Sequence, residues 1–245
     1  MSTIKHQEQF KVRSYEVDAS GCATLPVIAN YFQEAAGKNA RDLNFDIGDL
    51  HKSGLTWVLY RLHIKLHNVP KRWQNVTVNT WPSSGDGIRA FRDYELRNDS
   101  DEVLGIGISQ WMVLNIKTRR PARIPKEILD MGLEVDEHML PADKRSFPEM
   151  DSADKVVSHT VSRNDLDMNR HVNNVTYIEW MTGFLPEELP VDSRCEEINI
   201  QYHRECGLGQ EIKISCKAID DGQYLHKITD SRGTLLAQGV SCWSS

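Results

Sequence analysis

Aspartate, asparagine and histidine residues are concentrated in the segment Arg163–Met181, RNDLDMNRHVNNVTYIEWM. Asp167, Asn169 and His171 occupy every second position, which in an extended chain places the three side chains on one side. A histidine can serve as a general base and neighbouring donors can stabilise an oxyanion, and acyl transfer requires both. Asp and Asn are also common in turns and at helix N-caps, so a structural role is the alternative for them.

A helix is predicted directly after this polar cluster. In the segment 172–184 the apolar side chains fall on one stripe at helical spacing, namely Val172, Val175, Ile178 and Met181. A helix that begins near Val172 or Asn173 would direct free backbone N–H groups and the positive end of its dipole toward the cluster. We therefore expect the helix start to provide donors for an oxyanion. For Asn173 and Asn174 themselves, helix capping is the simpler expectation.

A second segment of interest is INIQYHRECGLG, residues 198–209. A strand-like alternation ends there at Glu205 and Cys206, which offer a carboxylate base and, as an alternative, a thiolate nucleophile. Strict alternation sends these two side chains to opposite faces. Unless the chain bulges, we expect only one of them to reach the His171 site. A solvated strand end with an ordinary core cysteine is the structural alternative.

The remaining sequence predicts the elements that must hold these two segments. Pro26–Ala40 has apolar residues at helical spacing and a proline in the first turn. Alternation typical of strands is found at 57–67, 75–81, 88–98 and 103–114, and again at 196–203, 210–219, 223–229 and 234–243. One helix followed by strands in hairpin order, twice over, predicts an α+β fold in which each copy packs a long helix on an antiparallel sheet.

The two copies align without gaps at an offset of 146 residues, which places Tyr31 on Tyr177. In this alignment the positions of the polar triplet are taken in the first copy by Gly21, Ala23 and Leu25. We infer that the fold does not need the triplet, so the triplet serves another purpose. The stretch 117–155 between the copies is rich in Pro, Arg and acidic residues, and we interpret it as a connecting linker.

Composition bounds the class of protein. The 245 residues are 40% apolar and 26% charged, typical of a globular protein with one large or two small domains. The net charge of −6 argues against nucleic-acid binding. A polar start and the lack of a long apolar run predict no signal peptide and no membrane span. The five cysteines, odd in number and without CxxC spacing, favour reduced thiols over a zinc site, so we expect a cytoplasmic location.

DLDMNRHVNNVTYIEW and QYHRECG resemble the signature segments of plant and bacterial acyl-acyl carrier protein thioesterases. SYEVDASGCATLPVIANYFQEAA, GLTWVLYRLHIKL and WMVLNIKTRRPARIP resemble that family's first half, so the likeness covers most of the chain. The resemblance implies two tandem hot-dog domains: residues 1–145, which hold the acyl chain without catalytic groups, and residues 146–245, which are catalytic. It also implies hydrolysis of a fatty acyl-acyl carrier protein thioester, with no cofactor and no metal.

Carried over residue by residue, the family's catalytic groups fall on Asp167, Asn169, His171, Glu205 and Cys206. The resemblance leaves two mechanisms open. In one, Cys206 attacks the thioester, His171 is the base and Asn169 orients it. In the other, water attacks directly, Glu205 or His171 is the base, and Asp167 and Asn169 fix the geometry. We favour water attack, because a thioester is already activated and alternation turns only one of the neighbouring pair inward.

Partners and competing functions follow from the same resemblance. Carrier proteins are acidic, so we expect a basic docking surface, and KTRRPARIPK (117–126) offers Arg119, Arg120 and Arg123, with a solvated linker as the alternative. Hydrolysis of acyl-CoA on the same fold and a non-catalytic acyl-chain or carrier-binding module are the other interpretations, and dehydration of hydroxyacyl chains ranks last. A monomer and a homodimer both fit, because two hot-dog units in one chain already form an internal pair.

Overall fold

The computed structural model describes residues 4–133, 137–142, 146–186, 189–190 and 193–244. By its internal contacts the chain divides into two compact units, residues 1–143 (unit 1) and 144–245 (unit 2). Each unit contains one main helix and an antiparallel sheet, so the α+β class is as predicted. Within the described residues, no helix has the length and apolar character needed to cross a membrane.

Unit 1 contains a five-stranded antiparallel sheet with the strand order β1-β3-β4-β5-β2, and a short strand β6 that pairs with β5. The strands are β1 (His6–Lys11), β2 (Leu55–Leu66), β3 (Asn75–Gly85), β4 (Arg89–Asn98), β5 (Val103–Asn115) and β6 (Pro121–Ala122). The helices are α1 (Leu25–Asp42), α2 (Ile47–Lys52) and α3 (Lys126–Leu129).

Helix α1 packs on the sheet through an aromatic contact. Proline at the second position suits a helix start, since its missing N–H has no intrahelical partner there. Phe32 is buried and stacks on Tyr94 of β4 with ring centroids 4.6 Å apart. Gly107 of β5 permits this close approach, because a Cβ there would lie 2.8 Å from the Phe32 ring.

Unit 2 repeats this plan with the strand order β8-β11-β10-β9-β7. Its strands are β7 (Lys155–Thr160), β8 (Arg194–Tyr202), β9 (Glu211–Asp220), β10 (Gln223–Asp230) and β11 (Leu235–Ser244). Helix α4 (Asn174–Gly183) follows a 3₁₀ turn at Arg163–Asp165. Ile178 and Met181 of α4 are fully buried, together with Ile198 and Ile200 of β8, which places the hydrophobic core between helix and sheet.

The predicted linker at 117–155 is wrong, because much of it belongs to the folded units. β6 pairs with β5, and Ile124 is buried in a cluster with Val113. Beyond α3, His138 Nδ1 lies 2.9 Å from the buried carboxylate of Asp93. The apolar residues are too far apart here to form a periodic pattern, so composition alone suggested a linker.

The two units repeat the same backbone hydrogen bonds. In unit 1 the Val12 N–H donates to Gln74 O, and in unit 2 the Val161 N–H donates to Gln210 O. The loops after β2 and β8 also begin alike, since the His67 N–H donates to Leu104 O and the His203 N–H to Leu236 O. The inferred internal repeat is therefore present at the level of individual hydrogen bonds.

The register of the repeat differs from the gapless alignment. Helix α1 begins at Leu25 and helix α4 at Asn174, which sets the offset in this region at 149 residues. The expected offset of 146 is therefore wrong here, and Tyr31 corresponds to Trp180 rather than to Tyr177.

Candidate active site

Asp167 organises a tight turn rather than an extended segment. The Asp167 N–H donates to His171 O at 2.8 Å, and Leu166 and Val172 form an antiparallel bridge that closes the turn. The Asp167 carboxylate accepts the backbone N–H of Asn169 (2.8 Å) and of His171 (3.3 Å), and also the Asn169 amide at 3.2 Å. The expectation that three side chains lie along an extended chain is wrong, because the carboxylate folds the backbone around itself.

The same turn exists in unit 1, around Asp18. The Asp18 N–H donates to Cys22 O, and its carboxylate accepts the N–H groups of Ser20 and Cys22 and the Ser20 hydroxyl. Gly21 has a positive φ of 78°, and the corresponding residue in unit 2, Arg170, has a positive φ of 64°. Asp18, Ser20 and Cys22 therefore correspond to Asp167, Asn169 and His171.

This correspondence corrects the inference that the fold does not need the triplet. The earlier alignment placed Gly21, Ala23 and Leu25 opposite the three residues, whereas the hydrogen bonds place an aspartate opposite Asp167. The fold uses this carboxylate in both units. What distinguishes unit 2 at this turn is the imidazole of His171 and the amide of Asn169.

A second loop, residues 203–209, lies beside the turn. Strand β8 ends at Tyr202, so Glu205 and Cys206 lie outside the strand, and the argument from strict alternation does not apply to them. The Val172 N–H donates to Cys206 O at 2.9 Å and ties this loop to the residue after His171. Gly209, with φ of 78°, turns the chain back, and its N–H donates to Val161 O.

The two loops bring His171 and Glu205 together. His171 Nε2 lies 3.7 Å from Glu205 Oε2, with 44% and 33% of the two side chains exposed. The pair is open to solvent and therefore accessible to substrate. At the equivalent places unit 1 has Cys22 and Val69, which offer neither a base nor a carboxylate.

Cys206 does not join this pair. The residue is 3% exposed, and its Sγ lies 3.1 Å from the Tyr177 hydroxyl on helix α4. Burial raises the pKa of the Cys206 thiol, so the thiolate that a nucleophile requires is disfavoured. Tyr177 was not anticipated, because it is 29 residues away in sequence and no pattern links the two.

The start of helix α4 has fewer free N–H groups than expected. Asn173 is the N-cap, and its side chain accepts the Val175 N–H at 3.0 Å. The N–H groups of Val172, Asn173 and Thr176 donate to backbone carbonyls. Within the described part of the chain, the Asn174 N–H is the one in this stretch without an acceptor. The expected capping role is confirmed for Asn173.

Comparison with known proteins identifies the family. The acyl-ACP thioesterase N-terminal domain matches residues 3–131, and the acyl-ACP thioesterase C-terminal domain matches residues 149–245. The chain belongs to the acyl-ACP thioesterase family. The family predicted from the two signature segments is thereby confirmed, and with it the assignment of the protein as a thioester hydrolase of this family.

Curated members of the family resemble this chain over nearly its whole length. It is 32% identical over 279 residues to oleoyl-acyl carrier protein thioesterase 1, chloroplastic, of Arabidopsis thaliana, covering 98% of this chain and 76% of that protein. It is 31% identical over 252 residues to the oleoyl-acyl carrier protein thioesterase, chloroplastic, of Coriandrum sativum, covering 94% and 67%.

Solved structures in the family share the fold. An acyl-ACP thioesterase from Bacteroides thetaiotaomicron superposes with a TM-score of 0.89 at 23% identity, covering 98% of both chains. The 12:0-ACP thioesterase from Umbellularia californica superposes with a TM-score of 0.90 at 24% identity, covering 100% of this chain and 98% of that one. The predicted fold of two tandem hot-dog domains is confirmed.

The basic run at 117–126 lies in the turn after β5 and the segment that follows it. Arg119, Arg120 and Arg123 are exposed, and Arg119 has a positive φ of 57°. Lys126 is neutralised by Asp130, with Nζ 2.6 Å from the carboxylate. The proposed role of the three arginines in docking stays a prediction.

Proposed function

We propose that this protein hydrolyses the thioester between a fatty acyl chain and the acyl carrier protein and releases the free fatty acid. The proposal rests on one observation above the others, which is that His171 and Glu205 meet at 3.7 Å beside the turn built by Asp167. Membership of the acyl-ACP thioesterase family supports this substrate class, since the curated relatives are named for acyl carrier protein thioesters.

Direct attack by water suits these groups. His171 or Glu205 takes a proton from water, and the water oxygen bonds to the thioester carbonyl carbon. The carbonyl oxygen becomes an oxyanion, for which we assign the Asn169 amide and the Asn174 N–H as donors. The C–S bond then breaks, and the thiolate of the phosphopantetheine arm receives a proton from the protonated base. Asp167 contributes by holding the N–H groups of Asn169 and His171.

Covalent catalysis by Cys206 is the alternative from the sequence, and its surroundings disfavour it. The thiol of Cys206 is hydrogen-bonded to the Tyr177 hydroxyl, and burial raises its pKa. Catalytic thiolates, in contrast, lie in exposed, electropositive surroundings.

We assign the remaining roles by unit. Unit 1 houses the acyl chain, since its turn has Cys22 and Val69 where unit 2 has the histidine and the acid. We propose a cytoplasmic location because all five cysteines are free thiols, which is typical of a reducing compartment.

The decisive experiment measures steady-state hydrolysis of acyl carrier protein thioesters and of matched acyl-CoA thioesters. We expect H171A and E205A to lower kcat by about 10²–10⁴-fold, the range for loss of a general base. C206A should keep kcat within about fivefold, because the thiol only packs against Tyr177. C22A, at the position of His171 in unit 1, is the matched control and should also keep kcat.

Three results would contradict the proposal. A folded C206A protein with no activity would restore the cysteine nucleophile. Hydrolysis of acyl-CoA at equal or higher kcat/KM would change the substrate to acyl-CoA, and no hydrolysis of either thioester by the wild-type protein would remove the enzymatic function.

A further inference from the structure

Unit 1 has a surface of exposed aromatic and basic side chains at the place where unit 2 has its candidate active site. We call it the basic–aromatic patch and define it by five residues, Arg13, Tyr15, Lys71, Arg72 and Trp73, all of them exposed. Backbone hydrogen bonds hold its two halves together. The Trp73 N–H donates to Val12 O, next to Arg13, and the Arg72 N–H donates to Gly21 O, both at 2.9 Å.

Trp73 has a backbone conformation that suits glycine. Its φ is +71°, and the equivalent residue in unit 2 is Gly209, with φ of +78°. Positive φ is rare for a bulky aromatic residue, because its Cβ crowds the backbone. Burial does not compensate for this strain, since Trp73 is 56% exposed. A strained and exposed tryptophan, where glycine suffices in the other unit, points to a function for the side chain.

The other large side chains of the patch are presented to solvent in a similar way. Tyr15 is 76% exposed, and the Arg13 guanidinium lies 6.0 Å from its ring centroid. The Arg72 guanidinium lies 5.8 Å from the centroid of Trp73. Each aromatic ring is therefore paired with an arginine, a combination that is enriched at the energetic centres of protein interfaces.

The acidic groups near the patch are partly engaged elsewhere. Glu16 lies 3.5 Å from Arg13, but its side chain is 12% exposed and accepts the Tyr31 hydroxyl. The Asp18 carboxylate accepts the N–H groups of its own turn. In the described part of the chain, Lys71 and Arg72 have no acidic partner. Three cations against these two carboxylates leave the patch locally positive, although the chain has a net charge of −6.

We propose that the basic–aromatic patch docks the acidic surface of the acyl carrier protein. This inference rests on the proposed function, and charge complementarity selects the partner. Trp73 and Tyr15 supply contact area at the centre, while Lys71, Arg72 and Arg13 attract the carboxylates of the carrier.

We place carrier docking at the patch rather than at the arginines of 119–123, because the patch adds two exposed aromatic side chains to its cations. The strand β2 runs from Leu55, which pairs with Asn115 beside the arginine turn, to Leu66, which leads into the patch. Its 12 residues span roughly 36 Å at 3.3 Å per step. A carrier domain of about 100 residues has a radius of gyration of about 13 Å, which makes it about 34 Å across. Its docking face is therefore smaller than the distance between the two ends of β2, and one carrier does not cover both.

The first test measures binding of holo-acyl carrier protein without an acyl chain, by titration calorimetry at low salt. The variants are W73G, K71E/R72E and, as the matched control at the other end of β2, R119E/R120E. We expect W73G and K71E/R72E to raise Kd at least tenfold and R119E/R120E to change it less than twofold. W73G copies Gly209, so its Tm should stay within about 3 °C of the wild-type value.

The second test compares acyl carrier protein thioester with the same acyl chain on a small thiol. We expect W73G and K71E/R72E to raise KM at least tenfold for the carrier substrate, while kcat and the kinetics of the small thioester are unchanged. Unchanged carrier binding in both variants, loss of binding only in R119E/R120E, or equal effects on the two substrates would each overturn the proposal. If the wild-type protein hydrolyses neither substrate, the proposed function fails, and the binding test alone still decides the docking surface.

Discussion

Asp167 and Asp18 perform the same structural task in the two units, although only the first lies beside a histidine and a glutamate. Each carboxylate accepts the N–H groups two and four residues later and closes a turn. We therefore propose that Asp167 is a positioning residue, which acts on catalysis through the backbone of Asn169 and His171. Substituting each aspartate in turn therefore distinguishes an effect on the stability of the turn, expected in both units, from an effect on catalysis, expected only at Asp167.

We predict that D167A and D18A each lower the free energy of unfolding by about 1–2 kcal/mol, since each removes the acceptor for backbone N–H groups. D167A should also lower kcat at least 10²-fold, whereas D18A should keep kcat within about twofold. D167N should recover most of the lost activity, because the amide oxygen still accepts these bonds. Urea unfolding and steady-state hydrolysis measure the two effects.

Two outcomes would contradict this assignment. If D18A lowered kcat as much as D167A, the loss would reflect stability rather than the position of His171. If D167N were as inactive as D167A while folded, the negative charge itself would be needed, and Asp167 would act directly on the reaction.

The sequence indicated His171 and Glu205 as neighbours, although the reasons for their proximity are visible only in the structure. The turn could have been found, because D-x-S/N recurs in DASGC and DMNRH with glycine or arginine at the positive-φ position. Aligning the copies on this motif gives the offset of 149. The Tyr177–Cys206 contact could not have been found, since neither residue belongs to a local pattern.

At the scale of elements, periodicity predicted the strands well where alternate residues are fully buried. The predicted strand at 210–219 is observed at Glu211–Asp220, and the predicted helix at 172–184 is observed at Asn174–Gly183. Strands β1 and β7 were missed, because they alternate between exposed and only partly buried residues and their sequences are largely polar. An edge strand of this kind gives a weak hydrophobic signal.

A buried polar group recurs in both sheets, with one substitution. In unit 1 the Tyr94 hydroxyl and the Trp111 indole N–H bond the Ser109 hydroxyl. In unit 2 the Trp243 indole N–H donates to the Ser241 hydroxyl. His226 Nε2 takes the place of the tyrosine hydroxyl and lies 2.7 Å from Ser241 Oγ. His226 is fully buried, and its Nδ1 has no partner among the described residues. Unit 2 therefore holds a neutral imidazole inside the protein.

This imidazole predicts acid sensitivity of the fold. Desolvation by burial lowers the pKa of His226 from 6.5 to about 3. Between these values the unfolded chain binds a proton that the native protein does not, so stability is full above pH 6.5 and falls as the pH drops toward 3. The slope from one proton is about 1.4 kcal/mol per pH unit. Glutamine does not titrate, so we expect the free energy of unfolding of H226Q to fall less steeply with decreasing pH than that of the wild-type protein.

Urea unfolding at pH 7, 6, 5 and 4 measures the effect in the wild-type protein and in H226Q. The variant should be less stable at pH 7, since the shape of the buried side chain changes, and the difference should shrink as the pH falls. Parallel pH dependences for the two proteins would show that His226 does not contribute.

At the scale of the whole molecule, the net charge and the basic–aromatic patch have opposite signs. A chain of net charge −6 repels an acidic carrier protein at long range, so attraction must come from a local cluster of cations. Unit 1 provides such a cluster at the place where unit 2 has the proposed catalytic pair, His171 and Glu205. The repeat supplies one loop architecture twice, and we propose that differences at a few positions give the two loops different tasks.

This arrangement predicts a specific salt dependence. Raising NaCl from 0.1 to 0.5 M shortens the screening length from about 10 Å to about 4 Å and weakens contacts between the patch and carrier carboxylates. We expect kcat/KM for the carrier thioester to fall several-fold through KM, while the small thioester is unaffected. K71E/R72E should have a flat or reversed response, because its patch no longer attracts acids. If salt lowered kcat/KM equally for both thioesters, the effect would lie in the catalytic unit rather than in docking.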